Sequence, residues 1–123
     1  MKIVLVEDNQ IFRETLELLL GKRSDLDVVA SVATGQEAVD VCADLRPDVV
    51  LVDYRMPGLS GAQTTEAVLQ VSPGTRVVCL TASVSGDEID ELYEAGAVAC
   101  VAKDEELEQI VAAIRVAADL SSA

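Results

Sequence analysis

Four short apolar runs constrain this chain most, because each one stops at a polar residue that has chemistry of its own. The runs cover residues 3–6, 49–52, 77–80 and 98–102, and the residues that follow them are Glu7 with Asp8, Asp53, Thr81 and Lys103. β-Branched runs of this length, separated by amphipathic stretches, predict buried parallel strands joined by crossover helices. Ligands of an open parallel sheet bind just beyond the carboxyl ends of its strands. We therefore predict a site where these strand ends meet.

The stretches between the runs predict five helices in alternation with five strands. The helices are expected over residues 10–20, 35–45, 62–70, 87–95 and 104–118, and the remaining strand over residues 28–33. Asn9 and Thr34 are predicted N-caps, and Gly96 a left-handed C-cap. Alternation with short connections predicts an α/β fold with a doubly wound parallel sheet in a single domain. That domain is expected over residues 1–118, with 119–123 as a tail or the start of a linker.

Length and charge exclude several classes of function. A chain of 123 residues is expected to form one domain with a core of its own. Nine basic against 22 acidic residues give a net charge of −13, which repels nucleic acid and anionic membranes, so we expect no direct binding to either. The apolar runs are too short for a membrane span or a signal-peptide core. We therefore expect a cytoplasmic protein that is mature from Met1.

The cysteines predict no metal site. Cys42, Cys79 and Cys100 have no ligand spacing, and the chain contains no histidine. All three lie in apolar patterns and are interpreted as reduced, buried small hydrophobic residues. A disulfide between Cys79 and Cys100 would require a geometry that the sequence does not reveal.

The strand-end residues and the loop that follows Asp53 carry a family resemblance. Residues 53–61 match the pattern D-x-x-M-P-x-x-x-G, and with Glu7, Asp8, Thr81 and Lys103 the chain resembles a bacterial response-regulator receiver domain over residues 2–118. The resemblance implies a flavodoxin-like five-stranded sheet with strand order 2-1-3-4-5. With Asp104 directly after Lys103, the chain resembles receivers that precede a helix-turn-helix domain of the LuxR/NarL type.

The resemblance also implies a role for each site residue. Asp53 would accept a phosphoryl group from a sensor histidine kinase, and a carboxylate has the nucleophilic oxygen for this. The ligands implied for Mg2+ are Glu7, Asp8, Asp53 and the backbone carbonyl of Arg55, which matches the metal's preference for oxygen. Lys103 would pair with Asp53 before the reaction and with a phosphoryl oxygen after it, and the Thr81 hydroxyl would donate to that group. The chain is then a switch in two-component signalling and not an enzyme, apart from its own phosphorylation and dephosphorylation.

At residue 100 the chain departs from the family pattern. Cys100 occupies the position at which receivers commonly have an aromatic residue whose rotation follows the threonine. Our hypothesis is that the output depends on the position of helix 87–95, with Tyr93 as the mobile aromatic. Arg55 and Ser83 occupy positions that influence how long the phosphoryl group survives.

The output is left open by the sequence. Either the chain is a stand-alone receiver, or a C-terminal helix-turn-helix domain follows it, and homodimerisation on phosphorylation is expected.

Three other functions were weighed. The first is a degenerate receiver that acts as a phosphorylation-independent binding module. The second is an aspartyl-nucleophile phosphatase of the haloacid-dehalogenase type, which needs a second Asp where this chain has Arg55. The third is a flavodoxin-like nucleotide binder, which needs a Gly/Ser/Thr-rich loop where this chain has Glu7 and Asp8.

Overall fold

A computed structural model describes residues 1–82 and 85–121, which form one parallel sheet covered by helices on both faces. The strands are β1 (Lys2–Val6), β2 (Asp27–Val32), β3 (Val49–Asp53), β4 (Arg76–Thr81) and β5 (Ala99–Ala102). The helices are α1 (Gln10–Gly21), α2 (Gly35–Leu45), α3 (Gly61–Val71), α4 (Gly86–Ala95) and α5 (Leu107–Ser121). The strand order is β2-β1-β3-β4-β5, and each neighbouring pair is parallel. The predicted fold class and strand order are confirmed.

Two aliphatic layers hold the helices on the sheet. Alternate residues of a strand face opposite sides, so Ile3 and Leu5 pack with α1 and α5, whereas Val4 and Val6 pack with α2, α3 and α4. These four side chains are at most 1% exposed. Burial of a Val, Leu or Ile side chain stabilises the fold by roughly 1.5–3 kcal/mol. The rigid sheet that results fixes the positions of the strand ends.

The predicted helix caps are present. The Asn9 side chain accepts a hydrogen bond from the Phe12 N–H at 3.0 Å, and the Thr34 hydroxyl accepts one from the Glu37 N–H at 3.2 Å. Gly96 ends α4 with φ of 115°, a conformation that only glycine adopts without strain. These caps set where each helix begins or ends relative to the sheet edge.

The C-terminal helix differs from its predicted bounds. It begins at Leu107 and not at residue 104, because residues 103–105 form a turn that places the acidic residues ahead of the helix. It continues to Ser121, three residues beyond its predicted end at residue 118, while Ser122 and Ala123 lie outside the described residues. A domain boundary after residue 118 stays a prediction. Ser83 also lies outside the described residues. Across ranges 1–82 and 85–121, no helix is both long and apolar enough to cross a bilayer.

Candidate functional site

The predicted strand-end residues converge at one edge of the sheet. Glu7 follows β1 directly, Asp53 is the last residue of β3, Thr81 is the last residue of β4, and Lys103 follows β5. Glu7 is 1% exposed, and Asp53 and Thr81 are each 5% exposed, so three polar residues are buried at the rim of an aliphatic core. A buried polar group is costly unless it has partners. The interactions among these residues therefore determine what the site can do.

Three carboxylates form the acidic half of the site. Glu7, Asp8 and Asp53 each offer a carboxylate oxygen, and these oxygens lie within 4.8 Å of one another. Glu7 and Asp53 are buried, whereas Asp8 is exposed to solvent. Hard divalent cations such as Mg2+ bind through carboxylate and carbonyl oxygens and keep several waters. The three carboxylates, one of them exposed to solvent, fit such an ion.

Lys103 supplies the positive charge of the site, and it lies closer to Glu7 than to Asp53. Its Nζ donates to Glu7 Oε1 and Oε2 at 3.0 and 3.1 Å, and to Asp53 Oδ2 at 3.4 Å. The expected Lys103–Asp53 pair is therefore present, but sequence analysis missed the shorter contacts with Glu7. One ammonium group spans both buried carboxylates.

The pKa values of this pair reflect burial and mutual attraction. Burial raises the pKa of Glu7, and the neighbouring charge of Asp53 adds to that rise, while the hydrogen bond from Lys103 acts in the opposite direction. Burial alone would lower the pKa of Lys103. Its hydrogen bond to Glu7 and the charge of Asp53 outweigh burial and raise it. Lys103 is therefore held in its charged form beside the carboxylates.

Helix α1 contributes two contacts that sequence analysis did not identify. The Lys103 ammonium lies over the Phe12 ring, 4.5 Å from its centroid, where a cation is attracted to the π face. The Arg13 guanidinium donates to the backbone carbonyl of Glu7 at 2.7 Å. The only sequence signal for these contacts is position, since both residues lie one turn into the helix that follows Glu7 and Asp8. Phe12 thus contacts Lys103, and Arg13 binds the backbone of Glu7.

The loop after β3 is bound tightly to the strand end. The Gly61 N–H donates to the Tyr54 carbonyl at 2.7 Å, and a Cβ on Gly61 would lie 2.6 Å from Tyr54 Cα and 2.7 Å from the Asp53 carbonyl oxygen. Only glycine permits this approach of the loop to the backbone that carries Asp53. The last position of the D-x-x-M-P-x-x-x-G pattern is therefore a glycine for a steric reason.

The same loop is joined to α4 by two side-chain contacts. Tyr54 donates from its hydroxyl to Glu91 at 2.8 Å, and the Arg55 guanidinium pairs with Glu88 at 2.9 Å. Arg55 is the residue whose backbone carbonyl is the predicted fourth metal ligand. Sequence analysis missed this connection between the loop and α4, because acidic residues on a helix do not by themselves indicate a partner. A change at Asp53 therefore has a physical route to that helix.

The ends of β4 and β5 connect Lys103 to Thr81. The Lys103 N–H donates to the Thr81 carbonyl at 2.9 Å, and the Tyr54 N–H donates to the Leu80 carbonyl at 3.1 Å. Cys100 is half-buried on β5, and not fully buried as expected, while the 47% exposed Tyr93 interacts with it from α4. The predicted movement of Tyr93 stays a prediction.

The chain is similar to known proteins over most of its length. The response regulator receiver domain family matches residues 3–115. The transcriptional regulatory protein LnrK of Bacillus subtilis (strain 168) is 38% identical over 114 residues, which cover 93% of this chain and 52% of that protein. The chain thus spans about half the length of the curated relatives it matches.

Two solved structures share the fold and part of the sequence. The signal receiver domain of the NarL response regulator from Mycobacterium tuberculosis has a TM-score of 0.91 and 31% identity, over 96% of this chain and 95% of that one. A two-component response regulator of the LuxR family from Aurantimonas sp. SI85-9A1 has a TM-score of 0.90 and 30% identity, over 96% of this chain and 84% of that one. Both resemblances extend over nearly the whole chain.

Proposed function

This chain belongs to the response regulator receiver domain family, the signalling module of two-component systems, and on that premise we propose that it is switched by Mg2+-dependent phosphorylation of Asp53. The observation that carries the proposal is the buried Asp53 carboxylate, 3.4 Å from the Lys103 ammonium and clustered with Glu7 and Asp8. A carboxylate held at a strand end beside a fixed cation is a nucleophile with a partner for the incoming charge.

The charges of the site support a requirement for a divalent cation. Three carboxylates against one ammonium leave two negative charges uncompensated in this cluster. An anionic phosphoryl donor is repelled by that excess. Glu7, Asp8 and Asp53, with the Arg55 carbonyl, would hold Mg2+, which when bound neutralises charge on the carboxylates and the phosphoryl oxygens.

The chain's own residues have separate tasks in the proposed reaction. An Asp53 oxygen attacks phosphorus while the bond from phosphorus to the donor breaks, and the leaving group keeps that electron pair. Lys103 Nζ, already within reach of Asp53, is positioned to pair with a phosphoryl oxygen on the product. The Thr81 hydroxyl is the proposed second donor to that group, from the end of the neighbouring strand. The contacts of Tyr54 and Arg55 with α4 are the proposed route by which the new charge is transmitted.

Phosphorylation by a small-molecule donor tests this proposal without the cognate kinase. Wild-type protein incubated with acetyl phosphate and Mg2+ is expected to gain one phosphoryl group by intact mass, and hydroxylamine is expected to remove it. The gain should disappear in Asp53→Asn and when the metal is chelated.

Asp44→Asn is the matched control, because it makes the same charge change on an exposed position of α2. Full labelling of Asp53→Asn, or labelling that is unaffected by chelation, would contradict the proposal. Absence of labelling in wild type under conditions that label another receiver would favour the phosphorylation-independent binding module instead.

The partners proposed for the whole protein follow from its relatives. LnrK is a transcriptional regulatory protein twice the length of the matched segment, which supports a DNA-binding helix-turn-helix output domain outside this segment. We propose a sensor histidine kinase as phosphoryl donor, homodimerisation on phosphorylation, a cytoplasmic location, and no turnover of a separate substrate. The net charge of −13 supports output through a partner or a further domain and not through nucleic-acid contacts of this domain.

A further inference from the structure

Two cysteines lie opposite each other on the last two strands of the sheet and have no part in the proposed phosphoryl transfer. Cys79 on β4 and Cys100 on β5 are register partners in adjacent parallel strands, and both pack on the face of the sheet covered by α4. Neighbouring strands lie about 4.7–4.9 Å apart, which falls inside the roughly 4.4–6.8 Å range of Cα separations that a disulfide tolerates. The geometry that the sequence left open is therefore compatible with a bond between these residues.

The two thiols differ in access. Cys79 is fully buried, whereas Cys100 is half-buried and lies on β5, which is the last strand in the sheet order. A reagent therefore reaches Cys100 before it reaches Cys79. The third cysteine, Cys42, is fully buried in α2, and burial raises the pKa of its thiol to about 11.

The pKa values of the two thiols are also shifted in opposite directions. The interaction with Cys79 lowers the pKa of Cys100 against the opposing effect of burial, and Tyr93 adds a second stabilising interaction. The interaction with Cys100, together with burial, raises the pKa of Cys79. Since a thiolate is the reactive form of cysteine, Cys100 is the nucleophile of the pair and Cys79 its resolving partner.

We propose that Cys79 and Cys100 form a dithiol site that a peroxide oxidises reversibly to an intramolecular disulfide. The Cys100 thiolate attacks one peroxide oxygen, the O–O bond breaks, and a sulfenic acid forms as hydroxide leaves. The Cys79 sulfur then attacks the Cys100 sulfur, the S–O bond breaks, and water leaves with the Cys79 proton. The two sulfurs together lose two electrons, and the peroxide gains them.

Mass spectrometry of the full chain tests the proposal directly. Reduced wild-type protein is treated with hydrogen peroxide and then unfolded in denaturant, so that the buried thiols become accessible. The remaining thiols are alkylated, and the intact mass is recorded. The expected product has lost two hydrogens and carries one alkyl group, and dithiothreitol restores three reactive thiols.

Mapping the bond requires a glutamate-specific protease, because no Lys or Arg lies between Arg76 and Lys103 and trypsin leaves both cysteines in one peptide. Cleavage after Glu88, Glu91 and Glu94 separates them, so a disulfide appears as two linked peptides. Cys42→Ser is the matched control and should form the bond as wild type does.

Two further variants assign the roles. In Cys79→Ser, Cys100 is expected to accumulate as a sulfenic acid that dimedone traps. In Cys100→Ser, oxidation of Cys79 should slow at least tenfold. If a variant does not fold, the oxidation of wild-type protein by peroxide tests the proposal by itself. It is overturned if Cys100 is oxidised without loss of two hydrogens, if it reacts no faster than Cys42, or if the disulfide joins only different chains.

Discussion

Removing the Asp53 charge should stabilise this protein when no divalent cation is present. In Asp53→Asn the side chain keeps its size, but one of three clustered carboxylates becomes neutral. Asp53 repels two carboxylates and attracts one ammonium, so the sign of the effect depends on which interaction is larger. The distances in the site permit an estimate.

The repulsion exceeds the attraction. At the 4.8 Å limit of the carboxylate cluster and an effective dielectric constant of about 20, each like-charge contact costs ~3.5 kcal/mol. At 3.4 Å the contact with Lys103 contributes ~5 kcal/mol. Two repulsions therefore outweigh one attraction by ~2 kcal/mol, and solvent around Asp8 screens part of this. We expect a gain in the free energy of unfolding of about 1–2 kcal/mol.

Urea unfolding followed by circular dichroism measures this gain. With chelator present, the midpoint of Asp53→Asn should lie about 0.5–1 M above that of wild type. Millimolar Mg2+ should raise the wild-type midpoint more than the variant's, because the variant has lost one ligand and binding to the folded state stabilises it. The difference should therefore shrink or change sign.

The control is Asp44→Asn, which also changes the net charge from −13 to −12 but lies outside the cluster. The unfolding free energy of this control should stay within about 0.5 kcal/mol of the wild-type value. A lower midpoint for Asp53→Asn in chelator would refute the reasoning. An equal gain in Asp44→Asn would show that overall charge, and not the site, is the cause.

Three other substitutions test separate parts of the structure. Gly61→Ala should lower the unfolding free energy by about 1–3 kcal/mol, because the added Cβ would lie 2.6–2.7 Å from backbone atoms of Tyr54 and Asp53. Gly74→Ala is the control and should be near neutral in the same urea titration, because a Cβ there has no other atom within 4 Å. Arg115→Gln should lower the thermal midpoint at neutral pH, because the hydrogen bonds from Arg115 hold the pKa of Asp25 below its usual value of 3.8. The difference from wild type should vanish as the pH falls through that lowered pKa, because Asp25 then loses its charge. A difference that persists in acid would contradict this cause. Phe12→Leu should slow labelling by acetyl phosphate severalfold without loss of fold, because the Lys103 ammonium loses its contact with the aromatic ring. An unchanged labelling rate would show that Phe12 does not influence the reactivity of the site.

The strand ends could be predicted from sequence because they depend on local pattern. A β-branched run that stops at Asp53 or Lys103 indicates both a buried strand and the position of its carboxyl end. Parallel strands bring these ends to one edge of the sheet. The cap residues Asn9 and Thr34 could be predicted for the same reason, since capping involves neighbours three residues away.

The contacts between distant elements could not be predicted in this way. Lys103 has several rotatable bonds, and its choice of Glu7 over Asp53 depends on where α1 and Phe12 pack. The acids of α4 match a solvated face in sequence, yet Glu88 and Glu91 pair with the loop after β3 because the helix lies over it. The start of α5 was misplaced because acidic residues suit both a first helical turn and a turn that precedes one.

The position of the phosphoryl group tests the central claim most directly. Phosphorylated protein is reduced with borohydride, which converts an acyl phosphate of aspartate to homoserine, and the digested chain is sequenced by mass spectrometry. Homoserine is expected at residue 53 alone, and only when donor and Mg2+ were both present. Homoserine at Asp8 or at any other aspartate, or a phosphoryl group that resists reduction because it is on Thr81, would contradict the assignment of Asp53 as the acceptor.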